Sequence, residues 1–178
     1  KALISATRGE QFITVKGIEA ALEPAVTDIA KTMQAGSLAD IAPRAVAGDG
    51  VQLDGIVLGK DLAEMLGVAV GDSVFVTTPE GRLSPLGYSP SRRRLRVAGI
   101  FSLGLFEFDS TYGFMSMTLA RRMFDRANPD YIQLRVDDIM AAPAIARSVE
   151  SRLGDTYLVQ DWGQLNKPLF SALALEKL

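Results

Sequence analysis

Two carboxylates, Glu107 and Asp109, stand two positions apart in the sequence Phe-Glu-Phe-Asp-Ser. Such a pair can act as general acid and base, can cleave glycosidic bonds, or can join other oxygen ligands around Ca²⁺. In an extended segment both carboxylates would lie on one side, with Phe106 and Phe108 on the other. The neighbouring residues supply neither a third ligand nor a substrate clamp. We therefore expect two solvated carboxylates backed by buried aromatic rings.

The 178-residue chain contains neither cysteine nor histidine, and this removes several kinds of chemistry. Disulfides, thiol nucleophiles and thiolate metal sites all need cysteine, and Ser-His or Cys-His catalysis needs histidine. Gly59 and Gly67 lie on opposite sides of a short predicted helix and match no phosphate-binding motif. The sequence therefore predicts no catalytic residue, no metal site and no cofactor.

A proline-framed stretch followed by arginines is the second distinctive feature. Pro85 and Pro90 enclose Leu-Gly-Tyr-Ser, and four arginines follow, namely Arg92, Arg93, Arg94 and Arg96. Because proline removes a backbone donor, it cannot sit in a paired central strand, so this segment is expected to leave the sheet and return. A stiff loop displaying Leu86 and Tyr88 would lose less entropy on binding a partner than a flexible loop. The alternative is an ordinary long hairpin tip.

Composition indicates a folded chain of one domain or two small subdomains. Hydrophobic residues make up 48% of the sequence and charged residues 22%, and the formal net charge is -2. This charge argues against general nucleic-acid binding. No apolar run approaches the ~18 residues that a membrane-spanning helix needs. The sequence begins directly in a predicted strand, without a signal peptide, which fits a piece of a larger protein.

Hydrophobic periodicity predicts strands and helices along the whole chain. The predicted strands cover residues 2–5, 12–17, 55–59, 73–77, 94–101, 112–117, 131–136 and 156–160. The predicted helices cover residues 22–35, 61–66, 119–127, 142–153 and 162–178. The strand–helix–strand pattern within residues 131–160 is typical of a βαβ or split-βαβ unit. Trp162 is expected to pack where the last strand meets the final helix.

The order of several short sequences resembles that of a known family. They lie at residues 15–18, 55–59, 61–66, 70–72, 97–101, 106–110, 160–162, 169–173 and 176–177. In this order they resemble the periplasmic domain of the LolC/LolE family, the membrane subunits of lipoprotein-releasing ABC transporters. The resemblance covers nearly the whole chain.

The resemblance implies an α+β fold of the MacB-like periplasmic core type. A mixed α/β, porter-like subdomain would be built from both chain ends, residues 1–20 and 130–164. An inserted β-rich subdomain, residues 21–129, would carry a hook loop at residues 82–93. Residues 165–178 would form a helix leading toward a membrane span.

The same resemblance implies a non-enzymatic role at the periplasmic face of the bacterial inner membrane. The domain would help to release lipoproteins and to pass them to a soluble periplasmic carrier, which the hook of LolC-type members captures. Leu86 stands where methionine is often found after the first proline. The residues matched to carrier binding are Pro85, Leu86, Gly87, Tyr88, Pro90, Arg92 and Arg93.

Further partners follow from the family rather than from the residues. They are lipoprotein cargo, a second membrane subunit of the same family, and a separate cytoplasmic subunit that would hydrolyse ATP, with no nucleic acid among them. One alternative is a related mechanotransmission permease domain of the efflux or cell-division type, which needs no apolar, proline-framed tip. Another is a carboxylate-dependent hydrolase, which would need one pocket holding both Glu107 and Asp109.

Overall fold

The structure is a computed structural model that describes residues 1–45, 51–84 and 87–167. For residues 45, 80–84 and 87–89 only the backbone is described. The fold is α+β, as the sequence predicted. The strands are β1 (Ala2–Ala6), β2 (Gly9–Ile18), β3 (Met33–Gly36), β4 (Arg44–Ala45), β5 (Gln52–Leu53), β6 (Gly55–Gly59), β7 (Ser73–Ser84), β8 (Gly87–Phe101) and β9 (Tyr112–Ser116). The α-helices are α1 (Glu23–Val26), α2 (Lys60–Leu66), α3 (Phe106–Thr111), α4 (Met117–Met123), α5 (Ala142–Leu153) and α6 (Trp162–Leu165).

Two compact units divide the chain, residues 1–133 and residues 134–178. This division differs from the predicted grouping of residues 1–20 with residues 130–164. The reason lies in strand pairing, because β1 and β2 bond to β7 and β9 and so belong to the first unit.

Six strands of the first unit pair in a closed ring, in the order β1, β2, β9, β6, β8, β7 and back to β1. The β2–β9 and β6–β8 pairs are parallel and the other four are antiparallel. β3 bonds to β8 beside the ring. Because closure gives each ring strand a neighbour on both sides, this arrangement leaves few exposed edges.

The alternation of strand side chains creates two cores, one inside the ring and one outside it. In β6, Ile56 and Leu58 face the interior and Val57 faces outward, and all three are fully buried. Leu62 of α2 and Leu119 of α4 complete the interior cluster. The outer cluster lies beneath two 3₁₀ turns, Ile29–Thr32 and Leu38–Ile41.

The two ends of the ring carry different helices. α2 follows the end of β6 and α4 follows the end of β9, and these two strands are antiparallel neighbours, so the helices lie at opposite ends. β7 runs in the same direction as β9, and it therefore leaves the ring at the α4 end. The buried hydroxyl of Thr78 in β7 donates to the carbonyl of Met123 in α4 over 3.0 Å, which ties the two elements together there.

The predicted helix over residues 22–35 is wrong. The chain instead forms α1, one 3₁₀ turn and strand β3, which pairs with β8 from Met33 opposite Phe101 to Gly36 opposite Gly99. Gly36 has φ +70°, and a Cβ atom there would lie 2.2 Å from the carbonyl oxygen of Ala98. Glycine is thus required by the close approach of β3 to β8, and not by a helix end.

Toward the end of the chain, the predicted helix is present and the two predicted strands are not. α5 covers the predicted residues, with a proline in its first turn and Gly154 at φ +68° directly after it. Residues 131–136, which straddle the unit boundary, and residues 156–160 form no strand, and Ile132 and Leu158 are 81% and 83% exposed. The helix predicted over residues 162–178 is described only at its start, where Trp162–Leu165 form α6. Residues 168–178 lie outside the described part. No helix within the described ranges is long and apolar enough to cross a membrane.

Candidate interaction site on the projecting hairpin

The β7–β8 hairpin extends well beyond the ring. Its ladder begins at Ser73 opposite Arg96 and continues to Ser84 opposite Gly87, with a register shift between Thr78 and Gly81. A hook loop was predicted at residues 82–93, and this is wrong for residues 82–84 and 87–93, which belong to the paired strands β7 and β8. Beyond the ring no other described strand pairs with this part of β7 or β8, and such an edge position tolerates a proline such as Pro90.

Three of the residues predicted to bind a carrier lie in the first part of β8. Gly87 and Tyr88 begin β8, and Pro90 is exposed opposite Gly81. Pro85 and Leu86 lie outside the described residues. Gly87, Tyr88 and Pro90 therefore lie near the end of a two-stranded ribbon.

Arg92, Arg93 and Arg94 are exposed along the stem of the hairpin. The guanidinium carbon of Arg92 lies 4.3 Å from the ring centroid of Phe75, a cation–π contact worth about 0.5–1 kcal/mol at an exposed position. Arg93 is paired with Val76 and so faces the opposite side of the ribbon from Arg92. Positive charge is thus present on both faces of the stem.

Arg96 differs from the other three arginines because it is buried. It is 7% exposed, and its Nη2 atom donates to the carbonyl oxygen of Asp40 over 2.8 Å. Among the residues that the structure describes, none accepts a hydrogen bond from its Nε atom. Arg96 therefore joins β8 to the 3₁₀ turn at Leu38–Ile41, and it is not part of the exposed basic surface.

The carboxylates Glu107 and Asp109 lie on α3 rather than on an extended segment, and the expectation of two solvated groups is wrong for Asp109. Asp109 is 3% exposed, whereas Phe106, expected to be buried, is 72% exposed. The Asp109 carboxylate accepts hydrogen bonds from the Ser102 hydroxyl (2.9 Å) and from the backbone N–H groups of Leu103 (2.8 Å) and Gly104 (3.0 Å). Its role is to close the loop that precedes α3.

Glu107 and Asp109 do not form a catalytic pair. Residues two apart on a helix point in different directions, and here Glu107 is exposed while Asp109 is buried. Among the residues that the structure describes, no cluster of three or more acidic side chains could hold a metal ion. The geometry required by the hydrolase hypothesis is therefore not present at these carboxylates.

An aromatic cleft of about 270 Å³ lies beside α3 and was not predicted from the sequence. The rings of Phe108 and Tyr112 stack there with centroids 5.0 Å apart. At its wall, Lys16 Nζ lies 3.0 Å from the Glu23 carboxylate and donates to Gln133 over 3.1 Å. No local motif links these residues, so only the fold brings them together.

Trp162 is not buried, so the expected packing at a strand–helix junction is wrong. It is 39% exposed in α6, and its indole N–H donates to the carbonyl of Ile139 over 3.2 Å. The start of α6 is fixed instead by a capping box, in which Asp161 and Gln164 each accept from the other's backbone N–H.

These features define a class of protein: an α+β domain with a closed ring of strands and a long basic hairpin, whose distinctive groups lie on a projecting surface. No family model matches the chain. It is 32% identical over 177 residues to the lipoprotein-releasing system transmembrane protein LolC of Xylella fastidiosa strain 9a5c, which covers 99% of the chain and 41% of that protein. Its identity to the LolC protein of Neisseria meningitidis serogroup B is 32% over 168 residues, covering 93% of the chain and 38% of that protein.

A second Xylella fastidiosa LolC protein, from strain Temecula1, is 31% identical over 177 residues, again 99% of the chain and 41% of that protein. The chain is therefore LolC-like over nearly its whole length, which confirms the resemblance found in the sequence. It spans about 41% of the Xylella relatives that it matches.

Proposed function

We propose that this chain is the periplasmic domain of a membrane subunit of a lipoprotein-releasing ABC transporter. It stands at the periplasmic face of the inner membrane and passes lipoproteins to a soluble periplasmic carrier. The similarity to LolC proteins supports the transport system, and the projecting β7–β8 hairpin supports the contact with a carrier.

The hairpin is suited to holding a soluble partner away from the body of the domain. Its root is part of the ring, because β7 also pairs with β1 and β8 also pairs with β6. A tip on such a rigid support loses little conformational entropy when it binds. In this proposal Leu86 and Tyr88 provide apolar contact, and Arg92 and Arg93 attract an acidic partner during its approach.

The domain itself performs no chemistry in this proposal. ATP would be hydrolysed by a separate cytoplasmic subunit, and a second membrane subunit of the same family would form the other half of the lipoprotein exit path. The carboxylate geometry supports the absence of hydrolase chemistry at Glu107 and Asp109, since this pair is split between solvent and a structural loop.

Replacing Leu86 by glutamate tests the hook. Burial of a leucine side chain is worth roughly 1.5–3 kcal/mol, or about one to two decades of affinity, and a buried charge adds a further cost. We expect Leu86→Glu to abolish binding of the purified carrier to the immobilised domain, with an unchanged melting temperature.

Leu158→Glu is the matched control, because Leu158 is an exposed leucine of the second unit, away from the hairpin in the sequence. It should bind the carrier as the wild type does. If Leu86→Glu also binds normally, the tip is an ordinary hairpin turn. If the wild-type domain does not bind the carrier at all, the mechanotransmission alternative replaces the proposed function.

A further inference from the structure

The aromatic cleft beside α3 is lined by groups that suit a positively charged ligand. Its walls include four aromatic rings, those of Phe108, Tyr112, Phe114 and Tyr131. Its charged lining residues are Lys16, Glu23 and Asp28, two carboxylates against one ammonium group. Asp28 is also paired with the exposed Lys31 over 2.8 Å, so Glu23 is the more important of the two carboxylates. Aromatic π faces and a carboxylate both attract cations.

Glu23 provides a buried acceptor whose hydrogen-bonding capacity is only partly used. The residue is 8% exposed. Its Oε1 atom accepts hydrogen bonds from Lys16 Nζ and from the Thr27 hydroxyl, each over 3.0 Å. Among the residues that the structure describes, none donates to its Oε2 atom. Because a buried carboxylate oxygen without a donor is costly, a ligand N–H group in the cleft would find a favourable partner there.

A guanidinium group matches both features of the cleft. It is planar and permanently charged, it stacks on aromatic rings, and its N–H groups donate to carboxylates. The stacked rings of Phe108 and Tyr112, with centroids 5.0 Å apart, offer such a surface. The cleft volume of about 270 Å³ is below the ~300–1,000 Å³ of pockets that hold whole small molecules. It therefore suits a single side chain.

The surroundings of the cleft favour a polypeptide as the source of this guanidinium group. Leu103 lines the cleft, and Leu105 and Phe106 follow it in the chain with 57% and 72% of their surface exposed. The Asp109 carboxylate holds this loop through the backbone N–H groups of Leu103 and Gly104. Apolar residues held around a central anchor pocket are typical of protein–protein contacts, in which arginine is one of the commonest anchors.

We propose that the aromatic cleft binds an arginine side chain from an apolar segment of a protein partner. Glu23 Oε2 is the acceptor for its N–H groups, and the aromatic rings are its stacking surface. The site is separate from the hairpin, because α3 precedes β9 and so lies at the end of the ring opposite to α4 and β7. The inference therefore stands whether or not the hairpin binds a carrier.

Titration of the domain with N-acetyl-arginine amide tests the cation site. The NMR signals of the tyrosine rings report binding, and N-acetyl-citrulline amide is the matched control, because it has nearly the same shape and no charge. We expect the arginine compound to shift the Tyr112 and Tyr131 signals saturably, with a dissociation constant in the millimolar range. The citrulline compound should bind about tenfold more weakly or less. Equal binding of the two compounds, or no saturable shift with either, overturns the proposal.

Two variants of the cleft locate the binding. Tyr131→Leu keeps an apolar side chain but removes the π face, and it should weaken binding of the arginine compound by about threefold or more. Tyr157→Leu is its control, because Tyr157 is an exposed tyrosine of the second unit, and the affinity should not change. Glu23→Gln should weaken binding by about tenfold. If Glu23→Gln melts early because Lys16 loses its partner, Tyr131→Leu decides, and unchanged affinity in that variant contradicts the proposal.

Two short peptides and a lipid vesicle identify the source of the cation. Acetyl-Leu-Arg-Leu amide should bind about tenfold more tightly than acetyl-Ala-Arg-Ala amide, because its leucines can cover the exposed residues of the loop before α3. Equal binding of the two peptides contradicts a polypeptide ligand. If the domain instead binds vesicles of phosphatidylcholine with phosphatidylethanolamine, and Tyr131→Leu abolishes this binding, the cleft takes a lipid amine and the proposal fails.

Discussion

At the scale of single residues, Asp109 shows how a carboxylate can be structural although its sequence context suggests chemistry. Its two oxygens accept three hydrogen bonds, two of them from consecutive backbone N–H groups of Leu103 and Gly104. These bonds hold the turn between β8 and α3. The same turn displays Leu105 and Phe106, which are exposed.

Asp109→Asn is the corresponding test. An asparagine keeps one acceptor oxygen and turns an NH₂ group toward donors, so at least one buried donor loses its partner, at a cost of about 1–3 kcal/mol. We expect the free energy of unfolding in urea to fall by this amount. Glu107→Gln is the control, because Glu107 lies on the same helix and is exposed. It should change the free energy of unfolding little. Equal stability of the two variants would contradict the structural role of Asp109.

At the scale of elements, the junction of β6, α2 and α3 depends on the absence of a side chain at Gly59. A Cβ atom there would lie 2.1 Å from the carbonyl oxygen of Asp109 and 2.6 Å from its carbonyl carbon. Both are backbone atoms, so the contact cannot be relieved by rotating a side chain. Gly59 itself has an ordinary φ of -65°, and its role is therefore close packing alone.

We predict that Gly59→Ala destabilises the domain by about 1–3 kcal/mol through overpacking. Gly113→Ala is the comparison, because its nearest neighbours are flexible side-chain ends, the closest being Ile56 Cδ1 at 3.3 Å. Its loss should be clearly smaller in the same urea titration. A Gly59→Ala variant as stable as the wild type would mean that α3 can move away from β6 without cost.

The elements that could be predicted are those whose signals are local. Strand β6 and helix α5 match their predictions because a continuous apolar run, a first-turn proline and a terminal glycine act within the segment itself. The apolar spacing of residues 22–35 predicts one helix, but the pairing of β3 with β8 decides the structure of this region.

The candidate site was predictable only in part, for the same reason. Prolines and arginines near the tip are visible in the sequence, but the placement of α4 beside the hairpin depends on strand directions around the whole ring. Alternation likewise predicted a strand at residues 131–136, yet alternation sets only the faces of a strand and not its partner. No described strand pairs with that segment.

At the scale of the whole molecule, the core is unevenly distributed. The two buried clusters lie in the first unit. In the described part of the second unit, Ala142 is the one hydrophobic residue that is buried. Stability against local opening should follow this distribution, because it depends on buried contacts and on backbone hydrogen bonds.

Hydrogen exchange can map that difference in this chain. We expect the amides of Ile56, Val57 and Leu58 to be among the slowest to exchange, since these residues are fully buried and paired on both sides. Amides of residues 131–136 should exchange within the first time points. Strong protection of residues 131–136 would show that they form a ladder, and would contradict the structure.

The length of β8 has a mechanical consequence. One unbroken strand of 15 residues reaches from the hairpin tip to the far side of the ring. Between Gly87 and Arg96 it spans about 30 Å at ~3.3 Å per residue. If the ring rotates by about 10°, the end of a strand of this length moves by about 5 Å. Small tilts at the root of β8 thus become much larger displacements at the end of the hairpin.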